Sequence, residues 1–479
     1  MKLSCLLLAV GSLLSTLSAH WEPDQRLTDD PASSRTAENS NTWTVGASGD
    51  TVHVVWTDNL DGNDEICHKR STDGGATWGS DQRLTNADRR SWCPSVAVVG
   101  AKVHVVWEDN RDIDWYDVYY KRSTDGGATW GGDTKLSTNG LAFGPSVAAI
   151  GDTVHVVWDG LPSETPGEPL EVYYARSTDG GVTWDSVTRL TNAPEDYAWQ
   201  PAVAAAGAGV HIAWYDGRNG PANPAEIYYK RSTDAGATWN DDERLTDSAP
   251  TSQWVSIAAV GDRVHVVWSD TRDGGTNEIY YKCSTDNGAT WPASPEGDKR
   301  LTSPDNEASY FPSIAVTDTN VHVAWCDWRD GSGEVYYKCS TDGGATWGSD
   351  TGLSVGDSKQ SRHPSIAVAG PGLHVAWYDN RDGNDEIYYK RNPTGNVGAE
   401  ETMNDGRKTM NVCPTIVRGV LVLGAVDSRQ NTGYRAGLLD AAGRKVMELA
   451  PGPNDVSRLA PGVYFVCGVQ GVRKTLIQR

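Results

Sequence analysis

The chain has 479 residues, with 20 Trp and 51 Gly but only three Phe, and a formal net charge of −21. Gly-punctuated sequence rich in Trp and Val, with almost no helical periodicity, predicts an all-β protein. An acidic surface of this size argues against nucleic acid or an anionic membrane as the partner.

The first residues, MKLSCLLLAVGSLLSTLSA, combine an early Lys2, an apolar run and small residues near Ser18–Ala19. This pattern predicts a secretory signal peptide over residues 1–19, because the run is too short and wrongly flanked for a membrane span. Cys5 lies inside the apolar run rather than at its end, which argues against a lipoprotein anchor. We therefore expect an exported protein with no transmembrane segment.

A string V-H-V-V-W and its variants recur seven times, with histidines at 53, 104, 155, 211, 265, 322 and 374. Around each histidine the sequence divides into four short β-runs, as in Pro94–Val98, Val103–Trp107, Asp117–Ser123 and Asp133–Ser137. Four short strands per repeat, joined by Gly and Asp-Gly turns, are typical of a propeller blade. The sequence therefore predicts a seven-bladed β-propeller over residues 20–392.

The fourth run of each repeat, R-L-T or similar, shows how the ring closes. Its first copy, Arg26–Thr28, precedes the first complete blade, whereas no copy follows the last unit, Pro364–Arg391. We expect Asp24–Thr28 to pair as an outer strand with the final blade, which leaves no free edge between the first and last repeats.

The octet STDGGATW stands at Ser71–Trp78, with identical or near-identical copies in five further units. Its Asp-Gly step supplies the positive φ of a tight turn, and its Asp can accept N–H groups of that turn. The octet resembles the Asp-box, or BNR repeat, S-x-D-x-G-x-T-W of sialidases and many secreted propellers. The resemblance implies a structural turn on the face opposite the ligand site. The seventh unit reads RNPTGN (Arg391–Asn396) and lacks the pattern.

The repeated polar residues are interpreted as scaffold. The strand histidines lie on separate blades, so they cannot converge on one metal ion, and we expect hydrogen-bonded core histidines. In the loop W-x-D-x-R-D-G-x-x-E, the Asp, the Arg and the Glu are predicted to form an ion pair across a hairpin. Calcium is the alternative, although the loops lack the alternate-residue spacing of a calcium site. No cofactor or metal is predicted.

Function should lie where the blades differ, on the face opposite the boxes. The position twelve residues before each strand histidine reads Asn41, Trp92, Phe143, Trp199, Gln253, Tyr310 and Arg362. A ring of aromatics around the channel mouth suits sugar stacking or a peptide anchor, whereas simple packing between blades is the alternative. The candidate binding residues are Trp92, Phe143, Trp199, Trp254, Tyr310, Arg362, His363, Trp115 and Trp328.

Resemblance to sialidases implies six blades, an Arg-Ile-Pro motif, an arginine triad, an Asp acid and a Tyr–Glu nucleophile pair. The chain has seven units, no Arg-Ile-Pro and no recognisable triad. We therefore predict no catalytic residue and a monomeric module that binds a glycan or an extracellular protein. A secreted sialidase-like glycoside hydrolase and a structural surface or adhesion component remain the alternatives.

Residues 393–407 are rich in Gly and polar residues and predict a linker. Beyond it, Leu439-Asp440, Leu459–Val466 (LAPGVYFV) and the basic end VRKTLIQR resemble the C-terminal sorting domain of the type IX secretion system. Alternating strands predict a small β-sandwich over 408–479. The resemblance implies secretion machinery as a partner and an extracellular or outer-membrane surface location in a bacterium. Cys413 and Cys467 are the one candidate disulfide pair.

Overall fold

The computed structural model describes 21–29, 31–36, 43–60, 62–112, 115–137, 141–162, 169–192, 197–218, 225–247, 251–303, 305, 307–354, 356 and 358–395. In the C-terminal region it describes 415–418, 420–423, 436–440, 444–449, 452–455, 462–468 and 471–478. The predicted signal peptide and nearly all of the predicted linker lie outside these residues. Residues 21–395 form one compact unit, and residues 396–479 belong to another.

The first unit is a ring of seven four-stranded antiparallel sheets, so the predicted seven-bladed propeller is confirmed. The first strands of blades 1–7 are Val45–Ser48, Ser91–Val99, Ala142–Ile150, Ala198–Ala206, Ser252–Val260, Ser309–Thr317 and Ser361–Ala369. The second strands are Thr51–Asp58, Lys102–Asp109, Thr153–Gly160, Gly209–Asp216, Arg263–Asp270, Asn320–Asp327 and Gly372–Asp379.

The third strands are Glu65–Ser71, Asp117–Ser123, Glu171–Ser177, Glu226–Ser232, Glu278–Ser284, Glu334–Ser340 and Glu386–Asn392. The fourth strands are Gln82–Arg83, Thr134–Lys135, Thr188–Arg189, Glu243–Arg244, Lys299–Arg300 and Thr351–Gly352 in blades 1–6, and Gln25–Arg26 in blade 7. Blade 1 has an extra short strand, Ser34–Arg35, at the end of its second strand.

The core lies between neighbouring blades. One cluster joins Ala213 and Tyr229 of blade 4 to Ile257, Val266 and Trp268 of blade 5. Both faces of a central strand are therefore covered, which explains why the second strands read as almost continuous apolar runs rather than as a simple alternation.

Each Asp-box is a turn that also joins two blades. Asp73 accepts the Thr77 N–H at 2.9 Å and the Thr77 hydroxyl at 2.6 Å, and these bonds hold its pKa far below the ordinary value. Trp78 packs edge-on against Tyr389 of the preceding blade, with ring centroids 4.8 Å apart. The box Trp thus contacts the neighbouring blade as well as the outer edge of its own.

The seventh box Trp is not missing but lies at the start of the propeller. Trp21 packs against Tyr337 of blade 6 at 5.1 Å, in the same edge-on way as the other box tryptophans. The sequence WEPDQRLT at Trp21–Thr28 also differs from WGSDQRLT at Trp78–Thr85 at only two positions. The assignment of the seventh unit as lacking its box is therefore wrong for the Trp, because the propeller begins at Trp21, inside that box.

The repeated ion pairs differ from the predicted arrangement. Arg111 contacts Asp109 at 2.5 Å and Asp133, which precedes the fourth strand, at 2.6 Å. The Glu that opens a third strand belongs to a separate pair, such as Glu65 with Arg83 at 2.6 Å. The predicted Asp–Arg pair of this loop is confirmed, but the inclusion of the Glu was wrong, because the fourth strand lies beside the third and supplies the partner of the Glu.

The C-terminal unit contains one five-stranded sheet, in the order Thr415–Arg418, Gly471–Gln478, Gly462–Gly468, Ala436–Asp440 and Lys445–Leu449. Val420–Leu423 and Gly452–Asp455 form a second, two-stranded sheet. The predicted sandwich and the Cys413–Cys467 pairing stay predictions, since neither cysteine side chain is among those described. No helix among the described residues has the length and apolar character needed to cross a membrane.

Candidate functional site

Each blade carries its variable residues at one end and its box at the other. In blade 2, Trp92 near the start of the first strand pairs with Glu108 near the end of the second. The opposite end of the second strand, Val103, pairs with Ser123, where the box begins. We call the positions equivalent to Trp92 the ring positions; they are Trp92, Phe143, Trp199, Gln253, Tyr310 and Arg362 in blades 2–7.

Blade 1 breaks the predicted register. Arg35 pairs with Thr57 as Trp92 pairs with Glu108, so Arg35 holds the ring position. Asn41, assigned there by counting back from His53, lies outside the described residues. The count failed because extra residues separate Arg35 from the rest of the first strand, which resumes at Val45.

A β-bulge follows each ring position of blades 2–7 and adds a second variable side chain. The bulge residues have positive φ, from +46° to +55°; they are Cys93, Gly144, Gln200, Trp254, Phe311 and His363. A bulge turns the local strand and changes the direction of its side chains. Both ring and bulge residues therefore contribute to the clusters described next, and Trp254 is a bulge residue rather than a ring residue.

Blades 5–7 carry one continuous aromatic cluster. Trp254 lies 5.3 Å from Tyr310 and 4.9 Å from Phe311, measured between ring centroids. Phe311 stacks on His363 at 3.8 Å, and His363 stacks on Tyr378 at 5.6 Å. Burial, together with the positive charge of the neighbouring arginine, lowers the pKa of His363 to about 3, so its ring is neutral.

Arg362 and Trp328 form a cation–π pair beside this cluster, with the guanidinium carbon 5.2 Å from the indole centroid. The Nε of Arg362 is buried and has no hydrogen-bond partner within the part of the chain that the structure describes. The repeated hairpin arginines instead form ion pairs with two carboxylates, as Arg218 does with Asp216 and Asp242.

Blades 2–4 carry two smaller aromatic groups. Tyr116 bridges Trp92 and Phe143, with centroid distances of 6.4 and 6.0 Å. Trp199 lies between Tyr197 and Tyr215, at 5.0 and 5.2 Å. Trp115 is 53% exposed and takes part in neither group. Eight of the nine candidate binding residues thus lie in these groups, in the blade 5–7 cluster or in the Arg362–Trp328 pair.

The polar atoms of these aromatics distinguish them from the tryptophans of the second strands. In the second strands, Trp107 and Trp214 donate their indole N–H to the repeated Asp at 2.9 and 2.8 Å. Trp92, Trp199, Trp254 and Tyr310 are only half-buried, and their N–H or O–H groups make no hydrogen bond to a described residue. Their polar groups are therefore available to a ligand.

The sequence reading missed two carboxyl groups beneath this surface. Glu108 and Asp159 precede the end of their second strands and are only 6% and 3% exposed. The backbone N–H of Gly144 donates to Glu108 at 2.7 Å, and that of Gln200 donates to Asp159 at 3.0 Å. The sequence signal is the residue that directly follows the repeated Trp of the second strand. This residue is acidic in blades 2 and 3 alone.

Both carboxyl groups favour the protonated form. Burial raises the pKa of Glu108 to about 8, and the negative charge of Asp159 adds to the shift. Burial raises the pKa of Asp159 to about 7. A buried carboxylate without a cation is unfavourable, so the groups hold their protons to higher pH than free side chains do.

We expect Glu108→Gln to stabilise the propeller increasingly as the pH rises. The native state keeps the Glu108 proton up to a pKa of about 8, whereas the unfolded chain loses it near 4.5, so the contribution of Glu108 to wild-type stability falls as pH rises across this window. At pH 8 the variant should melt at least about 2 °C above the wild type, with little difference at pH 5. The exposed Glu307→Gln is the control. An equal gain at both pH values would contradict this interpretation.

Comparison with known proteins places the fold in a family. Residues 152–412, more than half of the chain, match the model of the BNR repeat-like domain. The chain belongs to this family. The BNR propeller is 27% identical over 270 residues to a sialidase of Micromonospora viridifaciens, covering 48% of this chain and 40% of the sialidase.

The propeller is also 28% identical over 191 residues to the xyloglucanase Xgh74A of Acetivibrio thermocellus, covering 36% of this chain and 22% of the relative. The matches thus span less than half the length of either relative. Among solved structures, the polysaccharide lyase Uly1 gives a TM-score of 0.55 at 9% identity, covering 78% of this chain and 99% of the lyase. A PL25 ulvan lyase gives 0.52 at 12% identity, covering 74% and 94%. At these identities the likeness concerns the fold alone.

Among the described residues, no group of three or more His, Cys, Asp or Glu side chains is placed to hold a metal ion. Five cysteines whose side chains are described are not joined by disulfide bonds; they are Cys67, Cys93, Cys283, Cys326 and Cys339. The site offers aromatic stacking, hydrogen bonding by indole and phenol groups, the guanidinium groups of Arg35 and Arg362, and two buried carboxyl groups.

Proposed function

We propose that the propeller is a non-catalytic module that binds a glycan on the surface formed by the ring and bulge residues. The half-buried tryptophans with available indole N–H groups are the observation that carries this proposal. Such rings offer an apolar face to the C–H groups of a sugar and a polar edge to its hydroxyls. A plain protein anchor would need the apolar face alone.

The relatives support a carbohydrate as the ligand class. The two curated relatives are named sialidase and xyloglucanase, so both names refer to carbohydrate substrates. The net charge of −21 favours a neutral glycan over a strongly anionic one, because a polyanion is repelled at long range.

We expect Trp199→Ala and Trp254→Ala each to weaken glycan binding at least about tenfold, as for buried aromatic anchors of other interfaces. A glycan array identifies the ligand, and titration calorimetry then measures the affinities. Val182→Ala is the control, because Val182 is 59% exposed in the blade 3 box, at the other end of the blade. Wild-type protein that binds no glycan, or variants that bind as tightly as wild type, would contradict the proposal.

A second candidate is a glycoside hydrolase, favoured by Glu108 and Asp159 on adjacent blades. Glycoside hydrolysis uses a protonated and an ionised carboxyl group at one bond, and their raised pKa values let this mixed state persist near neutral pH. Incubating the folded protein with its bound glycan distinguishes the candidates. Released reducing ends that Glu108→Gln abolishes, with binding retained, would replace the binding module with the hydrolase.

The export signals complete the proposal. We infer that residues 1–19 direct export and that residues 408–479, as a small β-sandwich, engage the secretion machinery and place the propeller outside a bacterial cell. The support is the apolar leader pattern and the resemblance of the tail to a sorting domain. A structural surface or adhesion component is the remaining alternative. It predicts that the protein binds no glycan on the array.

A further inference from the structure

The segment Trp21–Thr28, which we call the closing segment, is separated in sequence from the blade it completes. In blades 1–6 the equivalent residues follow the third strand of the same blade directly. The closing segment instead continues into blade 1, so no short peptide connection ties it to blade 7. It therefore occupies blade 7 through non-covalent contacts.

Backbone pairing provides the first set of these contacts. Gln25 and Arg26 pair antiparallel with Tyr389 and Tyr388. The N–H of Leu27 donates to the carbonyl of Ile387 at 2.7 Å, and the Leu27 side chain is buried. This is the geometry of a peptide that adds a strand to an exposed sheet edge.

Side chains provide the sequence specificity. Asp24 contacts Arg381 at 2.6 Å, and both groups are largely buried. Arg26 contacts Glu386 at 2.6 Å, and the Thr28 hydroxyl donates to the same carboxylate at 2.5 Å. The Glu386 side chain is fully buried, so without Arg26 its charge would lose its nearest cation.

Two further contacts lie at the ends of the segment. Trp21 packs on Tyr337, and the Leu27 carbonyl accepts a hydrogen bond from Lys69 of blade 1. Blade 1 holds its own segment in the same way, since Arg83 contacts Glu65 at 2.6 Å and Lys121 of blade 2 donates to the Leu84 carbonyl at 2.5 Å. The same contacts thus recur within another blade. In blade 7, however, they are made by a segment that is distant in sequence.

We propose that the outer edge of blade 7 is a binding site for an extended peptide of the pattern W-x-x-D-x-R-L-T, and that the closing segment of a second copy of this chain can fill it. The same contacts form whether the segment comes from its own chain or from another. The chain's own segment wins through its high effective concentration, because only residues 29–33 join it to blade 1. A chain with a defective segment loses that competitor and accepts a second copy's segment.

Two complementary full-length variants test the proposal. The acceptor variant, Trp21→Ala/Arg26→Ala, has a defective closing segment and an intact blade 7. The donor variant, Tyr337→Ala/Arg381→Ala, has an intact segment but a defective acceptor site, because Tyr337 of blade 6 and Arg381 of blade 7 both contact the segment. Each alone should be monomeric by light scattering, whereas an equimolar mixture should form a species of twice the mass.

A labelled peptide WEPDQRLT provides the second measurement. It should bind the acceptor variant but not the wild type, whose site is filled, and alanine at its Trp and Arg should weaken binding at least about tenfold. If the acceptor variant does not fold alone, it is refolded in the presence of WEPDQRLT or of the alanine-substituted peptide. Recovery of folded protein with WEPDQRLT but not with the substituted peptide supports the site. No mixed dimer together with no preference between the peptides would overturn the proposal.

Discussion

The propeller should lose stability on mild acidification, with its melting temperature falling steeply between pH 7 and pH 5. Nine histidines lie among the described residues, and burial lowers the pKa of every one, to about 3 or about 4. The ring Nδ1 of His104, for example, shares a hydrogen bond of 2.7 Å with the Tyr120 hydroxyl inside the core. All nine are neutral in the folded state at pH 5, whereas in the unfolded chain they become protonated below about 6.5.

The direction of the pH dependence of stability follows from the number of protons that the folded and the unfolded states bind. Each depressed pKa contributes stability that is present above pH 6.5 and is lost as the pH falls towards the folded-state value of about 4. The buried carboxyl groups Glu108, Asp159, Glu278 and Glu334 act in the opposite direction, because their raised pKa values favour folding as the pH falls. Four such groups offset only part of the effect of nine histidines, so acid destabilises the fold.

We expect the melting temperature to fall by at least about 10 °C from pH 7 to pH 5, since several protons bind on unfolding. Tryptophan fluorescence follows the transition, and calorimetry in buffers of different ionisation heat counts the protons. His155→Gln should reduce the uptake by about one proton at pH 5. A melting temperature that stays constant down to pH 4.5 would show that the core histidines titrate normally.

The second large effect is expected at the box glycine that meets the neighbouring blade. Gly181 has φ of +81°, and an added Cβ would overlap the Tyr120 hydroxyl. Tyr120 cannot move aside, because it is bonded to His104 and packed against Trp184 at 4.8 Å. Gly181→Ala should therefore cost about 3 kcal/mol or more, from overpacking together with the left-handed backbone.

The adjacent Gly180→Ala is a matched control. Gly180 also has positive φ, +72°, but an added Cβ there meets no atom closer than 3.6 Å. It should cost about 1 to 2 kcal/mol, the backbone penalty alone. Urea unfolding of both variants measures the difference. Equal destabilisation would mean that the box turn tolerates the contact with Tyr120 and does not lock one blade to the next.

The blades could be predicted because their signals are local. The seven histidines mark a repeat, and the Asp-Gly steps set the turns within each repeat. Counting back twelve residues from a strand histidine locates the ring positions, such as Trp92, Phe143 and Tyr310. The count works because a two-strand hairpin of constant length separates the ring position from the histidine. That count failed at Arg35, where an insertion in blade 1 changes the spacing without changing the pairing.

The composition of the site was less predictable than its position. Glu108 and Asp159 looked like ordinary members of an acidic surface, since the sequence does not show which carboxyl groups are buried without a cation. Trp254 and His363 were candidates from the sequence, but Phe311 and its stacking between them were hidden, because a bulge changes the direction of side chains that a regular strand would alternate.

The sequence by itself determined the all-β class, the number of blades and the turn that each box forms, because these depend on residues close together in the chain. Only the tertiary structure decided how the blades meet. Trp21 packs on Tyr337, Glu108 accepts the Gly144 N–H, and Gly181 leaves room for Tyr120. These contacts join residues of different blades, so no turn or alternation encodes them, and they form only when the ring brings one blade against the next.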